Sequence, residues 1–158
     1  MRADLTGEIG VGDNIHLTVA TVVKRGDAFL LVREIRDGRE VFNQPAGHVE
    51  PGETPLEAAV RETLEETGWH VSPTALISFT TYTSPHNGIT YYRLALAAEA
   101  LAFDADRTLD DDIEEAVWLN YEEILQKQNQ LRSPMVLAAI RDYLDDCFYP
   151  LDILKAPR

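Results

Sequence analysis

The chain predicts an α/β sandwich built on a mixed sheet. Three observations carry that expectation. β-rich runs joined by Gly-containing turns lie on both sides of one central segment. That segment, Thr54 to Thr67, changes to the period of a helix, and two further capped helical segments close the chain.

In order, residues 1–14 carry Gly7, Gly10 and Gly12 among polar residues and read as a loose lead-in or an irregular strand, leaving 15–158 as one domain. His16 to Val23 and Phe29 to Arg33 are strands, and Arg25-Gly26-Asp27 between them makes a hairpin. Asp37-Gly38 precedes a third short strand, Glu40-Val41-Phe42, which ends at a Pro45-Ala46-Gly47 break. In Thr54–Thr67, Leu56, Ala59, Val60 and Thr63 fall at i, i+3, i+4 and i+7, with Pro55 in the first turn and Gly68 where a left-handed glycine ends a helix. Long strands from Ala75 to Thr83 and Ile89 to Glu99 flank His86-Asn87-Gly88. The acidic run Asp110 to Glu115 leads into a short strand at Val117–Leu119. One helix is then capped by Asn120 with Glu123 three residues on, and another is opened by Ser133 and Pro134 and runs to about Leu144.

A chain of 158 residues, 45% hydrophobic and 26% charged, has enough apolar side chain for one core. Its 14 Lys and Arg against 27 Asp and Glu give a net charge of −13, which repels phosphate backbones and anionic membrane surfaces. Neither nucleic acid nor membrane is an expected partner. Cys147 is the only cysteine, the first residues offer no apolar signal region, and no run approaches the ~18 apolar residues of a membrane span. The expected location is the cytoplasm.

The chemistry concentrates in Gly47-His48-Val49-Glu50-Pro51-Gly52-Glu53 and, seven residues on, Arg61-Glu62-Thr63-Leu64-Glu65-Glu66-Thr67-Gly68. On a helix, Glu62, Glu65 and Glu66 share an arc of roughly 100°. Such like-charge pairs cost about 0.2–0.5 kcal/mol each, so the face needs either solvent or a cation. The preceding loop, with Pro51 and Gly52, can fold back to bring a carbonyl such as that of Gly47 to the carboxylates. Carboxylates, a carbonyl and water are the oxygen ligands that Mg²⁺ or Mn²⁺ prefers.

The pattern Gly-x5-Glu-x7-Arg-Glu-x-x-Glu-Glu-x-Gly from Gly47 to Gly68 resembles the Nudix box, the signature of hydrolases acting on diphosphates linked to another moiety. Every charged and glycine position is present, Trp69 fills the last hydrophobic position, and only Thr63 departs, standing where a bulky aliphatic is usual. The resemblance implies an α/β/α sandwich with a mixed sheet and a loop-helix-loop catalytic motif. It also implies that Gly47 (by its carbonyl), Glu65 and Glu66 bind metal, that Glu62 binds metal or serves as base, and that Arg61 orients a glutamate. Glu53 would brace the loop or hold a metal-bound water, and Gly68 would close the motif. For Arg61 the plain alternative is a surface pair with Glu57 at i,i+4. Many family members supply another acid from a loop before a Trp-containing strand. Here that choice is Glu114, ahead of Trp118, with Asp112 and Glu115 as alternates and a solvated acidic loop as the plain reading.

Asn43-Gln44-Pro45-Ala46-Gly47-His48, in place of the commoner Pro-Gly-Gly, and Leu131-Arg132-Ser133-Pro134 are similar to a bacterial phosphatase branch of the family. That branch releases orthophosphate from nucleoside di- and triphosphates and thiamine-type pyrophosphates. The alternatives are cleavage of the internal diphosphate of a nucleoside diphosphate-X compound, and a non-catalytic nucleotide-sensing module. A module freed from catalysis has no need to crowd three glutamates on one face. The expected cofactor is Mg²⁺ (or Mn²⁺) and the expected partner a small-molecule phosphate anhydride, on a monomer or homodimer. Candidate substrate contacts are His48, Tyr82 (with Tyr91 and Tyr92 on the same hairpin), Arg33, Arg93 and Arg132, because an acidic protein must supply local positive charge to phosphates. The plain readings are loop packing for His48, core for the tyrosines and surface for the arginines.

Overall fold

A computed structural model of the chain describes residues 15–157. The expected lead-in over 1–14 lies outside the described residues. The strands are β1 (Ile15–Arg25), β2 (Ala28–Arg36), β3 (Arg39–Asn43), β4 (Ala46–His48), β5 (Trp69–Thr83), β6 (Thr90–Phe103) and β7 (Ile113–Asn120). The helices are α1 (Pro55–Thr67), α2 (Tyr121–Gln126) and α3 (Pro134–Leu144), with 3-10 turns at Gln128–Gln130 and Leu151–Leu154.

Among the described residues the sheet runs β3-β2-β1-β6-β5, with β4 added to β1 and β7 to β2. Only β1 and β6 are parallel, from Ile15↔Thr90 to Val23↔Ala98, so the sheet is mixed. β1 and β2 meet only beside their turn, at Lys24↔Phe29 and Arg25↔Ala28. Beyond it the sheet divides into two leaves, β4-β1-β6-β5 and β3-β2-β7. Central β1 is buried on both faces from Thr18 to Val23, which is why it reads as an unbroken apolar run. Ala58 and Ala59 of α1 pack with Val19, Leu76, Leu94 and Leu96. The opposite face of β1 gives Val22 to a second cluster, with Phe29, Ile77, Ile124 of α2 and Leu137 and Ile140 of α3. Helices thus cover both faces, the α/β/α arrangement. No helix among the described residues is long and apolar enough to cross a membrane.

Local chemistry sets the helix ends. Thr54 accepts from Glu57 N at 3.2 Å while Glu57 Oε2 accepts from Thr54 N at 2.8 Å. Asn120 and Glu123 repeat this box at α2, and the Ser133 hydroxyl caps α3. Gly68, at φ 77°, stops α1 and lets β5 start at once.

Three elements differ from expectation, one of them β7, which starts at Ile113 and not at Val117. Ala46–His48 is a strand, not a break, because the edge of β1 pairs with it at Thr18↔His48, Val19↔Gly47 and Ala20↔Ala46. β5 begins at Trp69, not Ala75, and carries irregularities at His70/Val71, Pro73/Ala75 and Leu76/Ser78. Those shifts and Pro73 hide its period, and its place at the sheet edge tolerates them.

Thr63, the departure from the motif, is fully buried. Its hydroxyl lies 2.7 Å from Ala59 O and 2.9 Å from the hydroxyl of Thr21, itself buried in β1. Two hydroxyls satisfy each other where an aliphatic pair would pack. Thr63→Val alone should cost about 1–2 kcal/mol in denaturant unfolding, by leaving the buried Thr21 hydroxyl only its long contact to Ala59 O at 3.5 Å, and the Thr21→Val/Thr63→Val double should recover most of it. A double variant as unstable as the sum of the singles would refute the pairing.

Candidate functional site

β4 delivers the loop to the helix. A Cβ on Gly47 would overlap the Glu62 carboxylate, so only glycine lets this backbone lie against the helical acids. Carboxylate oxygens of Glu62, Glu65 and Asp110 lie within 4.8 Å of one another. Asp110 is held there by its own N–H, which donates to Glu65 O at 3.1 Å, and by its carbonyl, which accepts from Ile113 N at 3.0 Å. Three hard oxygen donors this close, on half-buried and exposed side chains, form a set suited to a divalent cation. Burial pushes the Glu62 carboxyl up, opposed by Arg61; burial and then Glu65 push up Asp110.

Of the acids expected from the later loop, Glu114 first with Asp112 or Glu115 behind it, the structure puts none in this cluster, although Asp112 lines the cleft beside it. β7 starts at Ile113, so Glu114 and Glu115 are exposed strand residues; Glu115 pairs with Arg33 at 3.0 Å and Asp112 with Arg36 at 3.1 Å. The loop acid reaching the glutamates is Asp110. The signal that could have found it was where the strand begins, since only residues ahead of that point are free to turn inward.

Glu66 lines the same cleft but is not one of the three clustered carboxylates. It is buried, accepts from Ala46 N at 2.8 Å, and its carboxyl is pushed up to about 9, first by burial and then by Glu62, Glu34 and Asp112 against the pull of that hydrogen bond. The expected trio therefore divides: Glu62 and Glu65 join Asp110, while Glu66 fastens β4 to α1.

Arg61 ties loop to helix. Its Nε lies 3.0 and 3.2 Å from the Glu53 carboxylate oxygens, and Nη2 donates to Glu53 at 3.1 Å and to His48 O at 3.1 Å. Nη1 reaches Glu62 at 2.9 Å and Glu65 at 3.2 Å. The surface pair with Glu57 is not formed, because Glu57 is engaged in the helix cap. Burial works against the charge, but the bonds to Glu53 and Glu62 outweigh it and hold the guanidinium charged well above its usual range.

The site opens on a cleft of about 1380 Å³ whose walls include Glu62, Glu66, Asp110, His48, Tyr82, Tyr91, Arg93 and Arg132. His48 Nε2 is 2.8 Å from His16 Nδ1, and burial, with His16, lowers its pKa. Tyr92 turns away to pack on Phe79 at 6.1 Å between ring centroids. Arg33 is not among the residues that line the cleft, being held by Glu115 and by Glu40 at 3.4 Å. Strand parity decides this, because its neighbour Glu34 takes the cleft side, where it is buried and binds Arg132 at 2.8 Å and Arg36 at 3.2 Å.

Comparison with known proteins gives concordant results. A family model described as NUDIX domain matches residues 14–139. "Phosphatase NudJ" of Escherichia coli and that of Shigella flexneri are each 40% identical over 139 residues, 88% of this chain and 90% of theirs. The solved structure of a NUDIX hydrolase from Nitrosomonas europaea aligns with a TM-score of 0.88 at 43% identity, covering 90% of this chain and 97% of that one.

Proposed function

The chain belongs to the Nudix domain family, and from that premise we propose that it is a Mg²⁺-dependent phosphohydrolase, with Mn²⁺ the alternative ion. It releases orthophosphate from compounds ending in a diphosphate, such as nucleoside di- and triphosphates or thiamine-type pyrophosphates. The observation that carries this reading is the convergence of Glu62, Glu65 and Asp110, with Gly47 against Glu62 and with Glu62 and Asp110 on the wall of the cleft. The similarity to NudJ phosphatases supports the choice of bond. A cytoplasmic setting suits the lone Cys147.

Glu62, Glu65 and Asp110 would hold the metal, and the Gly47 carbonyl and Glu66 would be the further ligands that the motif offers. A divalent ion there supplies charge neutralisation for phosphate oxygens and a lowered pKa for water. The rest is the work of the chain. Arg61 holds Glu62 and Glu65 in place and fastens them to Glu53 and the His48 carbonyl, so the acids need no reorganisation as charge develops. A carboxylate of this cluster accepts the proton of the attacking water. The water oxygen bonds to the terminal phosphorus, the bridging P–O bond breaks, and the remaining phosphate leaves with the organic group. Tyr82 and Tyr91, at the hairpin end of the cleft, offer faces for an aromatic ring of that group. Ala46 also lines the cleft, and its β-carbon narrows the approach where the family usually has glycine, which favours a compact terminal phosphate.

Phosphorus NMR of the products tests the choice of bond. Orthophosphate should be the direct product from a nucleoside diphosphate or thiamine pyrophosphate, with little cleavage of ADP-ribose. Pyrophosphate from a triphosphate, or rapid formation of AMP from ADP-ribose, would move the assignment to internal-diphosphate cleavage.

A further inference from the structure

Of the arginines lining the cleft, only Arg93 is buried, at 4% exposure, and among the described residues no carboxylate pairs with it. Its Nη2 donates to two neutral oxygens, Asn43 Oδ1 at 3.0 Å and Gln44 Oε1 at 3.3 Å. The Gln44 amide is fixed from its other end, where Nε2 donates to Val136 O in the first turn of α3 at 2.7 Å; that bond turns Oε1 toward Arg93. Amide oxygens satisfy N–H groups without adding charge. Burial, and Arg132 nearby, bring the guanidinium down to about 10, which leaves it protonated at neutral pH. By contrast Arg33, Arg36, Arg61 and Arg132 all sit against carboxylates. Among the described residues this interior cation has no carboxylate bonded to it, Glu66 acting on it only through space, and it stands at the wall of the cleft braced from two elements. Burying a cation without a counter-charge is unfavourable, so an anion arriving from the cleft would complete it.

We propose that Arg93, braced by Asn43 and Gln44, receives a second phosphoryl group of the substrate, so that the site selects diphosphates over phosphate monoesters. The proposal rests on the reading of the Glu62, Glu65 and Asp110 end as the place of the reacting phosphoryl group. Asn43 and Gln44 are positioning residues. They hold the guanidinium fork toward the cleft and leave its charge for the ligand.

Two non-hydrolysable probes test this, methylenediphosphonate and methylphosphonate, titrated calorimetrically into the full chain with Mg²⁺ and again in a chelator. The wild type should prefer the diphosphonate by about tenfold or more. Arg93→Gln should compress that preference to within about threefold, and Arg93→Lys should keep part of it, because the charge remains while the fork is lost. Asn43→Asp is isosteric, keeps the acceptor and places a counter-charge on Arg93; it should compress the preference as strongly, and it decides the matter if Arg93→Gln does not fold. A preference unchanged in Asn43→Asp, or absent in the wild type, overturns the proposal. Turnover is read in parallel. A chain that hydrolyses no phosphate anhydride yet keeps an Arg93-dependent preference refutes the hydrolase reading and leaves this one standing. An Arg93→Gln enzyme with the wild-type KM for a nucleoside diphosphate does the reverse.

Discussion

Gly47→Ala is expected to lower turnover by about 10²-fold or more while the protein still folds. The added methyl would occupy the space of the Glu62 carboxylate. Gly47 is not among the residues with positive φ, so alanine meets no backbone penalty there. The obstructing atoms are the far end of a flexible side chain, and the strain is relieved by turning Glu62 aside at a cost of about 1–2 kcal/mol in stability. Glu62 then leaves both Arg61 and the cluster. Losing one charged group aimed at the reacting centre is worth about 3 kcal/mol of transition-state stabilisation, hence about two orders of magnitude in rate. Gly26→Ala is the matched control. Gly26 has φ 61° with open space around its Cβ, and it sits in the β1–β2 turn away from the cleft. It should lose about 1–2 kcal/mol of stability and keep its turnover. Circular-dichroism melting beside turnover separates the two variants. Wild-type turnover in Gly47→Ala would falsify the placement of Glu62 in the site.

What could be read ahead of the structure was what short-range chemistry decides. Thr54 with Glu57, Asn120 with Glu123, and Ser133 before Pro134 each complete their caps within four residues, so those helix starts stand in the sequence itself. β4 could not be read this way. Its three residues have no period, and its partner is the edge of β1, nearly thirty residues earlier. The position of Glu66 follows from helix geometry taken one step further. At about 100° per residue it lies between Glu62 and the buried stripe of Ala59 and Thr63, so it turns inward while Glu65 stays on the open side. Arg33 and Glu34 alternate across one strand, and which of them faces the cleft depends on the register of β2 with β3 and β7. No local feature marks that choice. Nor does a six-residue run rich in like acids say which member is used, because the contact that selects Asp110 is its N–H to Glu65 O, across the fold.

Glu65→Gln and Asp110→Asn should both lose metal-dependent activity, and Glu114→Gln should not. Each change keeps shape and removes a charge, so differences among the variants report where the charges are needed. Glu65 bears two roles, as a member of the cluster and as a partner of Arg61 at 3.2 Å. Its loss should cost about 3–4 kcal/mol of transition-state stabilisation, or about 10²–10³ in rate. Asp110 stands at the third corner on a loop, where neighbouring oxygens or water can partly replace it, so about 10–10²-fold is expected. Glu114 is exposed on β7 and lines no part of the cleft, and its variant should stay within about twofold of wild type. Binding supplies a second readout. Mg²⁺ should raise the melting temperature of the wild type and of Glu114→Gln in a concentration-dependent way, because it binds the folded cluster and relieves repulsion there. In Glu65→Gln and Asp110→Asn the rise should shrink. Removing one carboxylate also removes repulsion, so these two should melt at or above the wild type when metal is absent and below it when metal is saturating. That crossing of the melting curves is the signature of a cation site, whereas a solvated acidic face would give parallel shifts at every Mg²⁺ concentration. Wild-type activity in Asp110→Asn with a loss in Glu114→Gln would remove Asp110 from the site and return the loop acid to β7.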